Sequence, residues 1–141
     1  MKLKNFSKSI QLCNSYNPNP IAMITKKKKV SVKEYSAGEI RKVAMNILKH
    51  EYGAEVWMNN NLAVRGRKFI GRKGVADIIG YTKDRGVMVM CEIKTLNDTF
   101  SDEQIELLND LQRCGGVALV AYQDGIKIEV KPFIQIQKLA A

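Results

Sequence analysis

The sequence predicts an α/β domain, a mixed β-sheet flanked by helices, and three observations carry that expectation. Two segments open with the S-x-x-E or S-x-x-Q form of a capping box and continue with apolar residues at helical spacing. Between and after them lie short apolar runs whose hydrophobic residues fall on both faces, as strands covered on both sides require. The elements follow in the order α-β-β-β-α-β-β, which one layered sheet accommodates. At 141 residues the chain has room for a single domain.

Ser36-Ala37-Gly38-Glu39 starts the first helix, and Ile40, Val43, Ala44, Ile47 and Leu48 form its apolar face. Gly53 supplies its stop, and Glu55 to Met58 reads as a short strand. Asn59 to Gly74 is a polar, glycine-punctuated stretch with Arg65, Arg67, Lys68, Arg72 and Lys73 and no acid. Two strands come next, Asp77 to Tyr81 and Val87 to Lys94, joined by the hairpin loop Thr82 to Gly86. Ser101-Asp102-Glu103-Gln104 opens a second helix that runs to Cys114 and stops at Gly115-Gly116. Its apolar stripe is Ile105, Leu107, Leu108, Leu111 and Cys114. Val117 to Tyr122 is a buried strand, and Gln123-Asp124-Gly125 turns the chain into an alternating strand, Ile126 to Val130. Pro132 restricts the chain beyond it to a sheet edge. Trp57 and Tyr52 read as core residues rather than stacking platforms, and His50 as a side chain at a helix C-terminus.

Charge divides the chain into an arm, residues 1–34, and a domain, residues 35–141. The arm carries eight lysines and one acid, a net +7, while the remaining 107 residues carry 15 basic and 13 acidic groups, a net +2. Asn17-Pro18-Asn19-Pro20 is a turn or linker signal, Lys26, Lys27, Lys28 and Lys29 repel one another, and a short strand is expected only around Val30 to Val32. Such an arm points to a polyanionic partner, nucleic acid ahead of an acidic membrane, with a solubilising tail as the plainer alternative. No apolar run reaches the roughly 18–20 residues that span a bilayer. Neither is there an apolar stretch of secretory type near the start. Three widely spaced cysteines suit a reducing compartment, and a single histidine argues against multi-histidine metal sites.

Asp77, Glu92 and Lys94 carry the chemistry. A hairpin loop of even length centred between Asp84 and Arg85 pairs Thr82 with Val87. The same register sets Asp77 directly opposite Glu92, on one side of the sheet, with Lys94 two residues on. Opposed like charges destabilise a sheet, and burial adds to the cost. A divalent cation with hard oxygen ligands relieves both, and magnesium, or manganese in its place, fits two carboxylates with positions left for water and phosphate. The alternative is that Asp77 is a turn residue and Glu92–Lys94 a same-face ion pair.

The ordered series Gly71-Arg72-Lys73-Gly74-Val75-Ala76-Asp77-Ile78-Ile79-Gly80, Cys91-Glu92-Ile93-Lys94-Thr95, Phe100-Ser101-Asp102-Glu103-Gln104 and Gly115-Gly116-Val117-Ala118-Leu119-Val120 resembles the PD-(D/E)XK nuclease superfamily, and more narrowly its VRR-NUC branch. The resemblance covers about residues 36–123. It departs at Ala76, where the family often has proline. It implies a restriction-endonuclease-like core, metal ligation by Asp77, Glu92 and the Ile93 carbonyl, and a Lys94 that positions the attacking water or helps deprotonate it. A lysine in partly apolar surroundings near a metal is pushed towards its neutral form, which suits that role.

Gln104 has two readings, a capping residue and, with the family's help, a partner of the metal-bound water or substrate phosphate. Glu39 likewise fits either the capping box or the family's first-helix glutamate that completes the site. The loop cations Arg65, Arg67, Lys68, Arg72 and Lys73 open towards the cluster, and the glycines between them favour contact with DNA phosphates.

The resulting expectation is a magnesium-dependent endonuclease acting on DNA, a homodimer selective for branched DNA like the Holliday-junction resolvases of this branch, in repair or recombination. Its expected setting is the cytoplasm of a bacterial or phage-infected cell, or the nucleus, with Lys26 to Lys29 as the signal, in a eukaryote. The rival readings are a non-catalytic nucleic-acid-binding module and a sequence-specific restriction-type enzyme on the same fold.

Overall fold

The computed structural model describes residues 31–60, 66, 68, 71–134 and 136. Helix α1 (Ala37–His50) is followed by strands β1 (Ala54–Met58), β2 (Ile78–Thr82) and β3 (Met88–Lys94). Helix α2 (Asp102–Arg113) then leads to β4 (Val117–Asp124) and β5 (Lys127–Pro132). The order is the expected one. Both expected capping boxes form: Ser36 with Glu39 starts α1, and Ser101 with Gln104 starts α2. Most of the arm, including Lys26 to Lys29 and Val30, lies outside the described residues, and Ser31 and Val32 are not in a strand.

The five strands make one sheet in the order β1-β2-β3-β4-β5. Only β3 and β4 are parallel, joined through α2, and the other neighbours are antiparallel. Strand alternation sorts the core into two layers. Val89, Cys91 and Ile93 of β3 point to α1, where Ile40, Ala44 and Leu48 meet them with Val56, Ile78, Leu119 and Ala121. Met90 points to the other face, where Leu107 and Leu108 of α2 pack with Ala76, Ala118, Val120 and Phe133. Central β3 is covered on both sides, so six of its seven residues are buried. β5, carrying Pro132, is an edge strand, as the proline requires.

The hairpin closes with the expected parity. The Thr82 N–H donates to the Val87 carbonyl at 2.8 Å, and the Val87 N–H donates to the Thr82 hydroxyl at 3.1 Å. Ile78 therefore pairs with Cys91 and Ile79 with Met90.

Two side chains depart from their expected places. Cys114 lies past the last turn of α2 as its C-cap and is exposed, because the apolar stripe ends with Leu111. Trp57 is 46% exposed, since α2 does not extend over β1, whereas Tyr52 packs at the margin of the α1 layer as expected. No helix among the described residues is long and apolar enough to cross a membrane.

Leu48 and Leu108 are both fully buried, in different layers. Leu48→Ala and Leu108→Ala are each expected to cost about 2–5 kcal/mol. With the sheet between them, their costs should add in the double variant, as measured by urea denaturation.

Candidate active site

The cluster forms where the C-terminal end of β3, the start of β2 and the N-terminus of α2 meet. One step beyond the last paired residues of β2 and β3, the register sets Asp77 across from Glu92. That position alternates with the hydrogen-bonded pairs, so it is one where opposed side chains come closest. Glu92 and Lys94, successive even positions of β3, face α2 and are 4% and 8% exposed. Asp77 turns one carboxylate oxygen to the Ile93 N–H, which donates to Oδ2 at 3.0 Å. The N–H and C=O of an extended residue point the same way, so the Ile93 carbonyl also faces the Asp77 side.

Lys94 is held from three directions. Its Nζ lies 3.1 Å from Glu92 Oε1 and donates to the Thr99 carbonyl at 2.8 Å and to Gln104 Oε1 at 3.0 Å. The nitrogen thus meets three acceptors, as many as an ammonium group has donors. The Phe100 ring sits 4.6 Å from the same nitrogen and closes the apolar side. Thr99 could not be read from the sequence as part of the site, and Phe100 only as a member of a family-like stretch, because a loop conformation brings them there.

Gln104 fulfils its capping reading and its side chain also reaches Lys94 and Glu92. Its backbone N–H donates to the Ser101 hydroxyl at 3.2 Å, and its Oε1 accepts from the Ser101 N–H at 3.1 Å, which completes the cap. The same Oε1 accepts from Lys94, while Nε2 donates to Glu92 Oε1 at 2.5 Å. The structure does not bring Glu39 to this group. It caps α1, on the opposite face of the sheet, and binds Lys33 at 2.7 Å. The Lys33 hydrogen bond, and after it those from Ser36, hold its carboxyl down at about 2.

The loop before Asp77 runs against α2. Gly74 has φ +78°, and a Cβ there would run into the Glu103 carbonyl, so only glycine allows this approach. Lys73 is exposed near Glu103 in the first turn of α2, Arg72 is exposed alongside Leu107 and Leu111 farther down the helix, and Lys68 is exposed as well. Arg65, Arg67 and the lysines 26–29 lie outside the described residues.

Burial, and then the Asp77 charge, push the Glu92 carboxyl up, while Lys94 and Gln104 only partly offset them. Excess negative charge beside three hard oxygen donors, two carboxylates and the Ile93 carbonyl, is a donor set that suits a divalent cation such as magnesium. Among the described residues no three His, Cys, Asp or Glu side chains gather as metal ligands, so the carbonyl and solvent must complete any coordination. No protein-family model matches the chain, and no curated protein matches it.

A carboxyl raised in the folded state binds its proton more tightly there than in the unfolded chain. The stability it contributes is present below the ordinary carboxyl range and is lost as pH rises through the raised value. Glu92→Gln lacks this loss. In chelator, the melting temperature of the variant minus that of the parent should therefore grow as pH rises from about 4 to about 7. A difference that shrinks over that range would mean that ionised Glu92 is favoured by its surroundings. Magnesium at neutral pH should raise the parent's melting temperature and leave the variant's unmoved.

Proposed function

We propose that the protein is a magnesium-dependent nuclease that hydrolyses phosphodiester bonds in DNA. The observation that carries this reading is a buried carboxylate and a buried lysine on the central strand. They are bridged by one glutamine from a helix N-terminus and face a second carboxylate across the hairpin. A structural ion pair needs neither the opposing Asp77 nor a bridging amide, and the opposed acid makes it less stable. The series Asp77, Glu92-Ile93-Lys94 and Gln104 resembles the PD-(D/E)XK nucleases. The mixed sheet with one helix on each face is compatible with their restriction-endonuclease-like core.

In this reading Asp77, Glu92 and the Ile93 carbonyl hold the metal, which supplies acidification of water and neutralisation of phosphate charge. Lys94 stays held by Thr99 and Gln104, and with Glu92 turned to the metal its third N–H would be released to donate to a phosphate oxygen or to the attacking water. Gln104, locked by its own capping bonds, sets where Lys94 and Glu92 point. Lys73, set by Gly74 beside this end of α2, and Arg72, farther along the helix, contact flanking phosphates and fix the strand's register without reading its sequence. The resemblance further suggests branched DNA as substrate and a homodimer whose two sites cut two strands, since symmetry repeats the site on a second copy.

Labelled branched and linear DNA, incubated with magnesium and then with chelator, separates this reading from a non-catalytic binding module: cleavage should require the metal. Asp77→Asn should abolish cleavage while the chain still melts cooperatively. Lys94→Ala should lower single-turnover cleavage by roughly 100-fold or more. It should leave DNA affinity in calcium within a few-fold, since one lysine is a small share of a basic surface. Loss of one member of a buried pair also costs about 3–5 kcal/mol, so rates are compared well below the variant's melting temperature. Equal losses of binding and cleavage would make Lys94 a phosphate contact only.

A further inference from the structure

Among the described residues, helix α2 covers its face of the sheet over β3 and β4, its cluster takes in Ile79 of β2, and the rest of that face of β1 and β2 is left bare. On that bare part stand Trp57, 46% exposed, and Tyr81, 44% exposed, with Met88, 45% exposed, paired opposite Tyr81. The two rings meet edge to face with centroids 6.3 Å apart. Half-exposed tryptophan and tyrosine side by side are an unusual outlay of apolar surface, and such patches mark binding sites.

Strand register ties this patch to the carboxylates. Trp57 pairs with Ile79, two residues from Asp77 on the same face of β2. Diagonal neighbours of this kind lie roughly 7–8 Å apart. The Asn59 N–H donates to the Asp77 carbonyl at 2.8 Å, so the end of β1 stays joined to the site. Charge around the patch is suited to a polyanion. A groove of about 620 Å³ runs from Met88 and Met90 to Leu107 and Leu111, and Arg72 forms part of its wall. Arg72 makes no ion pair among the described residues. Of the nearby acids outside the carboxylate cluster, Glu55 is matched by Lys83 at 3.1 Å and Asp110 by Arg113.

We propose that Trp57, supported by Tyr81, stacks on an unpaired base next to the phosphate presented to Asp77 and Glu92, so that the substrate is single-stranded or frayed at the cut. This rests on the nuclease reading and deepens it. A base inside a duplex has both faces covered by its neighbours, whereas an unpaired one offers a free face to an aromatic ring. Arg72 holds the adjoining backbone. Stacking tolerates any base, which fits a surface with no array of polar groups to read base edges.

Trp57 is the chain's one tryptophan, so intrinsic emission reports this surface alone. The full chain is titrated in calcium with an oligothymidylate of about 10 nucleotides and with a blunt duplex of the same length. The single strand should quench the emission and the duplex should change it far less. Trp57→Ala should weaken single-strand binding by about 5- to 150-fold, the range for loss of one stacked base, with little effect on duplex binding. Trp57→Phe should keep most of the affinity, which guards against a mere folding defect. Emission unchanged at saturating single strand, or equal losses for strand and duplex, would overturn the proposal. So would emission that follows protein concentration without DNA, together with a dimer in sedimentation that Trp57→Ala abolishes, since the patch would then be a contact between copies. Because binding is read without cleavage, quenching with no hydrolysis in magnesium refutes the nuclease reading alone, and hydrolysis with a silent Trp57 refutes the platform alone.

Discussion

Burying Lys94 and Glu92 on the central strand is the constraint on which the rest of the site depends. Each charge taken out of water costs several kcal/mol, and their mutual attraction offsets that only when the remaining donors and acceptors are met. The lysine ammonium finds three acceptors, one of them a backbone carbonyl and one the amide of a helix cap. That demand fixes the loop from Thr95 to Ser101, because the Thr99 carbonyl must turn inward. Thr95 and Asp98 brace the turn by hydrogen bonds of 2.7 and 2.9 Å from the Thr95 hydroxyl and N–H to Asp98 Oδ2. Phe100 is held in turn by an edge-to-face contact with Phe133 at 5.3 Å.

The same demand explains why Gln104, and not another N3 residue, begins α2. A glutamate there would cap the helix as well, as Glu39 does for α1, but it would add a third negative charge beside Glu92 and Asp77. The amide supplies an acceptor to Lys94 and a donor to Glu92 at once, which no carboxylate can do. Helix capping, ordinarily worth about 1 kcal/mol, here also sets the geometry of the cluster. Gly74 completes the frame by letting the basic loop lie against the backbone of that first turn.

Much of this could be read from the residues. The register followed from the parity of one hairpin loop, and Thr82 and Val87 pair as that parity requires, so the opposition of Asp77 and Glu92 was legible before any coordinates. Both helix starts were legible because capping boxes are local. The exposure of Trp57 and of Cys114 was not, since each depends on how far α2 extends over the sheet, a tertiary property that periodicity does not contain. Glu39 fitted two roles by sequence position alone. Only the sheet topology separates them, by setting its helix on the face opposite Glu92 and Lys94. Thr99 left no signal and Phe100 only its place in a family-like stretch, because a carbonyl's direction and a ring's placement in a loop are set by what they pack against.

The uneven cover of the sheet connects stability to the proposed chemistry. The α1 layer draws on all five strands, with Ala54 and Val56 at one edge and Ile128 and Val130 at the other. The α2 layer is anchored on β3 and β4 and leaves Trp57 and Tyr81 in water. Fully burying two such side chains would add a few kcal/mol of hydrophobic stabilisation, so the bare surface is a real cost to the fold. A helix laid there would recover that stabilisation and would also roof the approach to Asp77 from the β1 side. Glu92 and Lys94 are closed off by α2, Phe100 and the sheet itself, so on the proposed reading a DNA strand approaches from the side of β1, where Asp77 lies. On the proposed reading, the exposed aromatic pair and the buried charge pair are then two consequences of one arrangement, in which a single helix shields the charges and stops short of closing the site.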